Sequence, residues 1–543
     1  MDVEILGVLR GARGPGRDLI LGRLVGTKPE YTGVVAGMSG SPVYIDGKLL
    51  GALSYRIGEF SKEPIAGITP IAQMLEVRDL PGQNLAAQPE SSTPANPTAF
   101  NPQTPMQAPM QAMETPLLMS GFSPPAIDLW KQRMASTGLD VVAAGGPLGQ
   151  SDSPANTDKS PILPGSAVSL QLVRGDMEIA ATCTVTYVDA RHLLACGHPV
   201  LQAGPVSLPM TRADVVATLP SPLNAFKIIN TGATIGAFTE DRDAAIAGIL
   251  GAHARMIPVS VTVSTGTRTA EHHVEVLNLP SMTTSAILVS VYQMLLQTNQ
   301  STAETSYHVT GAIQLAGIAP IPIDSWGTPG ATMVSQLAAA IAVGNTFDLL
   351  YANPSRQATT QAIQSIQLHV QAIPTDLRTE LQSVRVISSG IVHAGDTVAL
   401  EATLRPWQQA TQTLQLHVHI PETLPSGTLR VLVGSATSLD RTLDAAQPPN
   451  RSPNLLTIAN LLRQRHAADR LYLSMIIPEA QASIDGDTLD RLPLSMANAF
   501  EPQRETASLH GESIQLLESV PTPGPLTGQQ VITLHVEPGG GLH

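Results

Sequence analysis

The chain reads as mainly β, ending in an antiparallel β-sandwich and a small α/β tail. Gly and Pro number 44 each and punctuate the sequence throughout, which cuts it into short strands and turns rather than long helices. Between about residues 347 and 440 the apolar positions alternate, first Ile366, Leu368, Val370 and Ala372, later Leu414, Leu416, Val418 and Ile420. Period-two patterning with a solvated opposite face is the mark of a sandwich. At 543 residues, 43% of them hydrophobic, the chain has room for a sizeable core and for roughly three or four domains.

Several classes are disfavoured. The formal charge of −13 is spread without acidic or basic blocks, so there is no electrostatic footprint for nucleic acid or an anionic membrane. No run of apolar residues is long enough to span a bilayer as a helix. Met1 is followed at once by the strand-like Asp2 to Leu9, without the charged start, apolar centre and small-residue cleavage site of a secretory signal. A domain opening in mid-sheet lacks a partner for its first edge, so the expectation is that a leader and the start of the first domain are missing from this sequence. No cofactor or metal is expected. Two cysteines are too few for a tetrahedral zinc site without histidine help, and His192 and His198 do not fall at finger spacing. His369, His417 and His419 lie on a polar strand face with no acidic partner at matching spacing.

In order along the chain, residues 1–80 form a first module, with strands expected at 3–9, 19–24, 34–37, 42–45 and 48–55. Ile65 to Pro70 closes it, and Ile71, Met74 and Leu75 then share one side of a short helix. Residues 81–125 turn to Pro, Gln, Ala, Met and Thr, with the near-repeat Pro105-Met106-Gln107-Ala108 and Pro109-Met110-Gln111-Ala112. Such a stretch buries too little apolar surface to offset its ordering entropy and reads as a linker. Residues 126–164 are a short helix, capped by Ser123-Pro124 and carrying Ile127, Trp130 and Met134, followed by a second linker.

A third module spans 165–345. Strands at 167–173 and 179–187 are followed by a turn between Asp189 and Ala190 and a return through Cys196 to Gly197-His198-Pro199. Strands at 259–263, 272–277 and 307–315 and helices at 283–297 and 331–343 complete it. Hairpin register places Cys183 opposite Cys196, which suits either a cross-strand disulfide or two small buried thiols. The sandwich occupies 346–445. The remainder, 446–543, holds a helix capped by Ser452-Pro453 and strands at 471–477 and 531–536.

The stretch with the most chemistry in it is Gly37-Met38-Ser39-Gly40-Ser41-Pro42-Val43, followed by a strand, the Asp46-Gly47 turn and a second strand. Asp-Gly between apolar runs is a hairpin signal, and a tight turn leading into a hairpin accounts for these residues without any chemistry. The same residues can present the Ser39 hydroxyl beside the amides of Gly37 and Ser39, donors aimed at the oxygen that becomes negative when an acyl carbon is attacked.

Gly33 to Pro42 with its hairpin resembles the SpoIVB peptidase family, serine endopeptidases with a chymotrypsin-like core. A second stretch resembles the same family independently: Gly165-Ser166-Ala167-Val168, the strand Thr182 to Val188, and Leu194-Ala195-Cys196-Gly197-His198-Pro199. The resemblance implies a chymotrypsin-like β-barrel core assembled from two segments, with Ser39 as nucleophile, His198 as general base and Gly37 and Ser39 as the oxyanion amides. It further implies a protein or peptide substrate and an extracytoplasmic location. Ser41 competes for the nucleophile's place, but the residue followed by Gly-Ser-Pro is Ser39.

Two departures stand out. The family order is histidine before serine, reversed here as in a permutation. Where the family has its aspartate, this chain reads Leu24-Val25-Gly26-Thr27-Lys28, without a carboxylate. Asp18, Glu30 and Asp214 are the candidate replacements, and Asp214, which follows the histidine, is carried as the third member. The missing acid also motivates the alternative of a degenerate peptidase-like binding or scaffold protein.

Overall fold

A computed structural model of the chain describes residues 1–57, 63–80, 110–113, 115–135, 139, 141–143, 160–220, 225–297, 303–330, 332–353, 356–388, 390–445, 454–477, 480–484, 487–492, 496, 507–510 and 512–537. The fold is mainly β and divides into two units, residues 1–257 with 273–289 and residues 258–272 with 290–543. Among the described residues no helix is long and apolar enough to cross a membrane.

The first unit opens with an antiparallel sheet. Strands β1 (Asp2–Leu9), β2 (Leu19–Val25), β3 (Pro42–Ile45), β4 (Lys48–Ile57) and β5 (Ile65–Pro70) take the order β1-β2-β5-β4-β3, and β6 (Met110–Ala112) adds to β4. Alternation in the strands puts Ile20, Leu24, Val43, Leu53, Ala66 and Ile68 into one core with Met113. The Asp46-Gly47 turn forms as expected, with Ile45 paired to Lys48. Residues 34–37, expected as a strand, make only an isolated bridge from Ala36 to Phe226. Helix α1 (Thr27–Thr32) stands where no element was expected, and α2 (Ile71–Arg78) follows β5.

The rest of this unit is built around a ring of strands. It contains β7 (Leu117–Ser120), β8 (Val141–Ala143), β9 (Ala167–Gly175), β10 (Glu178–Val188), β11 (His192–Ala195), β12 (Gly204–Leu219), β13 (Phe226–Arg242) and β14 (Ala245–Leu250). Six of these run β9-β12-β13-β14-β11-β10, and β10 pairs back onto β9 to close the circuit. Met74 and Val77 of α2 pack with Ala52 of β4 against Leu194, Ala245 and Ala247 of the ring, so the first sheet and the ring share a core. Helix α3 (Pro124–Met134) starts after Ser123 and buries Ile127, Trp130 and Met134, as its spacing predicts.

Residues 81–109 of the expected linker lie outside the described residues, but its end is part of the fold. Strand β6 pairs with Tyr55 to Ile57 of β4, and β7 pairs with Glu178 to Ala181 of β10.

In the second unit, residues 259–265 pair in parallel with Ile363–Ile373, which in turn pairs with the hairpin strand Ser306–Leu315. The sandwich has one sheet built on Thr379–Val386, Thr397–Pro406 and Gln412–His419, and another on Gly427–Gly434, Arg470–Ile477, Ser513–Pro521 and Gln529–Glu537. The alternating Leu400, Leu416, Val418 and Ile420 meet Leu429, Val431, Leu473 and Leu534 in its core. The second sheet thus draws on both sides of residue 445. Helix Leu455–Arg463 is capped by Asn454, whose side chain accepts from the Thr457 amide; Ser452 lies outside the described residues.

Candidate active site

The serine segment is a turn between α1 and β3. Gly37 and Gly40 adopt φ of 89° and 91°, a region that disfavours residues with a β carbon. The Met38, Gly40 and Ser41 amides donate to the carbonyls of Val35, Leu53 and Met38. The Gly37 and Ser39 amides have no hydrogen-bond partner among the described residues. Unpaired backbone donors are uncommon in a buried turn, and a pair of them is what stabilisation of an oxyanion needs.

The turn is seated on the ring by a gap in strand pairing. Along one edge of β10, residues 178–181 pair with β7 and residues 185–188 with β11, leaving Thr182 to Thr184 uncovered by either. The serine segment fills that gap. The Thr184 amide donates to the Ser39 carbonyl at 2.8 Å, and the Thr184 and Thr186 hydroxyls donate to the Gly37 and Gly40 carbonyls at 3.0 and 2.7 Å. Lys227 Nζ on β13 adds a second donor to the Gly37 carbonyl at 2.9 Å.

Ser39 is fully buried, and its hydroxyl faces Cys183 Sγ at 3.7 Å. Cys183 is disulfide-bonded to Cys196, which settles the choice that the sequence left between a bridge and two thiols. Cys196 leads directly into Gly197-His198. Both residues before the histidine have positive φ, 67° at Cys196 and 74° at Gly197. The Thr69 hydroxyl of β5 donates to the Gly197 carbonyl at 2.7 Å, so the serine-bearing sheet also grips the histidine turn.

His198 is 2% exposed. Its Nδ1 lies 2.7 Å from the Pro199 carbonyl oxygen. A carbonyl only accepts, so Nδ1 carries the hydrogen and Nε2 holds the lone pair. That Nε2 is buried without a partner among the described residues. Burial drives the ring's pKa down to about 4, with the Pro199 carbonyl opposing and the Arg13 charge assisting. His198 is therefore a neutral imidazole at pH 7 with an unoccupied basic nitrogen. The hydrogen bond from Ser39 that a working dyad uses is not formed in this conformation.

Beyond the histidine the chain turns over Asp241 of β13, a carboxylate 3% exposed. Its Oδ1 accepts from the Val200 amide at 2.8 Å, and its Oδ2 from Leu201 at 2.6 Å and Ala203 at 3.4 Å. Burial raises its pKa, and the amides of this loop pull it back.

Gly37, Ser39 and His198 lie in the first unit, as do Asp18, Glu30 and Asp214, but none of these acids is bonded to the His198 ring. Asp214 is exposed on β12, paired across to Asn230, and is not the partner of His198. Asp18 accepts from the Gly11 amide, and Glu30 is exposed on α1. Ser41 lies in register with Leu53, whose amide its carbonyl accepts. Thr184, Thr186, Lys227 and Asp241 carry no motif, so nothing in their local sequence marked them. Among the described residues no group of three His, Cys, Asp or Glu is placed to hold a metal ion.

Compared with family models, curated proteins and solved structures, the chain matches none.

Proposed function

We propose that this chain is a serine endopeptidase of the SpoIVB type, acting on protein substrates through Ser39 and His198. The observation that carries the reading is a set of unused groups: two vacant amides at Gly37 and Ser39, and a vacant Nε2 on a neutral His198, with the Ser39 hydroxyl facing Cys183 of the bridge that leads through Cys196 into the histidine turn. Vacant donors and a vacant base are what acyl transfer requires. Ser39 Oγ attacks the scissile carbonyl carbon while Nε2 takes its proton, and the Gly37 and Ser39 amides hold the resulting oxyanion. Collapse breaks the C–N bond as His198 returns the proton to the leaving amine. Water then cleaves the acyl-enzyme by the same steps. The permuted chymotrypsin-like arrangement is part of the proposal, supported by the closed ring and the second sheet that shares its core.

One observation favours the alternative of a degenerate peptidase-like scaffold: Ser39 is fully buried, with its hydroxyl turned to the disulfide. Fluorophosphonate labelling of the full chain separates the two. A peptidase labels at Ser39 and loses labelling in Ser39→Ala and His198→Ala. A folded wild-type protein that neither labels nor cleaves a denatured protein substrate overturns the catalytic reading.

A further inference from the structure

The imidazole of a serine peptidase needs a group that holds Nδ1–H and so keeps Nε2 basic. Among the described residues no carboxylate touches Nδ1, and the Pro199 carbonyl stands in that place at 2.7 Å. The peptide unit that supplies this carbonyl also contains the Val200 N–H, which donates to Asp241 Oδ1 at 2.8 Å. Carboxylate, peptide group and imidazole therefore form one continuous chain of hydrogen bonds.

We propose that Asp241 is a positioning residue that sets the tautomer of His198 through the Pro199–Val200 peptide. Three features fit that role. Asp241 is almost wholly buried, so its carboxylate is taken up by the loop rather than by solvent. It accepts from the amides of Val200, Leu201 and Ala203, which fixes the plane of the peptide as well as its distance. Gln202, inside the same loop, is held at φ 53°, a conformation that side chains other than Gly adopt only when their surroundings impose it. A carboxylate accepting from one end of a peptide group also strengthens the carbonyl at the other end as an acceptor, because linked hydrogen bonds polarise one another. Asp241 would then replace the triad acid at one remove, which accounts for a chain with no carboxylate where the family has one.

The catalytic consequence rests on the Ser39/His198 reading, but the positional one does not. The test uses the full chain with selectively ¹⁵N-labelled histidine, His198 being assigned by the signals lost in His198→Gln. Wild-type His198 is expected as the Nδ1–H tautomer, and Asp241→Asn is expected to shift it toward Nε2–H and to slow fluorophosphonate labelling of Ser39 by roughly 10²-fold. Wild-type His198 protonated on Nε2 at neutral pH overturns the proposal, and so does an unchanged tautomer in folded Asp241→Asn. Should Asp241→Asn not fold, Val200→Pro, which removes the one N–H in question, is read in the same way. A shifted tautomer in a protein that never labels supports the role of Asp241 and rejects the peptidase.

Discussion

Gly40 rests so directly on Thr184 that a β carbon at position 40 would stand 1.9 Å from the Thr184 carbonyl oxygen. The obstacle is backbone, held at the junction of β10 with the Cys196 amide, and backbone there cannot swing aside. Gly40→Ala is expected to cost about 3 kcal/mol or more, by overpacking and by its left-handed φ together. Urea unfolding of the variant checks this, and a loss below about 1 kcal/mol would show that the serine turn is not wedged onto β10.

The bridge between Cys183 and Cys196 closes a sequence separation of 13 residues. A loop of that size contributes about 3 kcal/mol through the entropy removed from the unfolded chain. The double substitution Cys183→Ala/Cys196→Ala is expected to lose that much in thermal or urea unfolding. It should also weaken Ser39 labelling, because the pair joins the wall facing the Ser39 hydroxyl to the turn carrying His198. Full labelling in the double variant would restrict the bridge to stability alone.

For His198 the pH dependence has a definite sign. Its folded pKa of about 4 lies below the ordinary 6.5, so between those values the unfolded chain binds more protons and stability rises with pH. The contribution is fully present above about pH 6.5 and is lost as pH falls toward 4, a total on the order of 3 kcal/mol. The difference between wild-type and His198→Gln unfolding curves across this window isolates the ring. Parallel curves would contradict a buried neutral imidazole. Ser39 labelling should likewise persist down to about pH 4 rather than fade near 6.5.

Lys227 and Thr184 both donate to the Gly37 carbonyl, and so hold the peptide plane next to the vacant amides. Lys227→Met is expected to leave the fold in place, with a stability change near 1 kcal/mol, while slowing Ser39 labelling roughly tenfold or more. Equal labelling rates in the two proteins would remove Lys227 from the oxyanion turn.

Much of the local structure was legible because it depends on short-range chemistry. Asp46-Gly47 turns where it does because few dipeptides accept two successive left-handed residues. Ser123-Pro124 opens α3, and the alternation at 414–420 appears as a strand face in the sandwich core, whereas that at 366–372, read as part of the sandwich, belongs to the sheet formed with residues 259–265 and Ser306–Leu315. Elsewhere a local reading fell short. Residues 110–120 look like linker on composition, yet β6 and β7 find edges of β4 and β10 that no composition could reveal. The tail after residue 445 looked like a region of its own, yet its strands complete a sheet begun by Gly427–Gly434.

Along the chain itself, side-chain period, turn residues and the two glycine-flanked segments already marked many of the strands and singled out Ser39 and His198 as the residues to ask about. Such properties are carried by neighbours a few positions apart. Which carboxylate the loop after the histidine turns over was decided only by the tertiary structure. Asp241 lies 43 positions beyond His198 and accepts from the amides of Val200, Leu201 and Ala203 only because β13 brings its carboxylate under the loop that follows the imidazole. Hydrogen bonds depend on distance in space, and the closing of the β9-to-β10 ring is what turned sequence separation into contact.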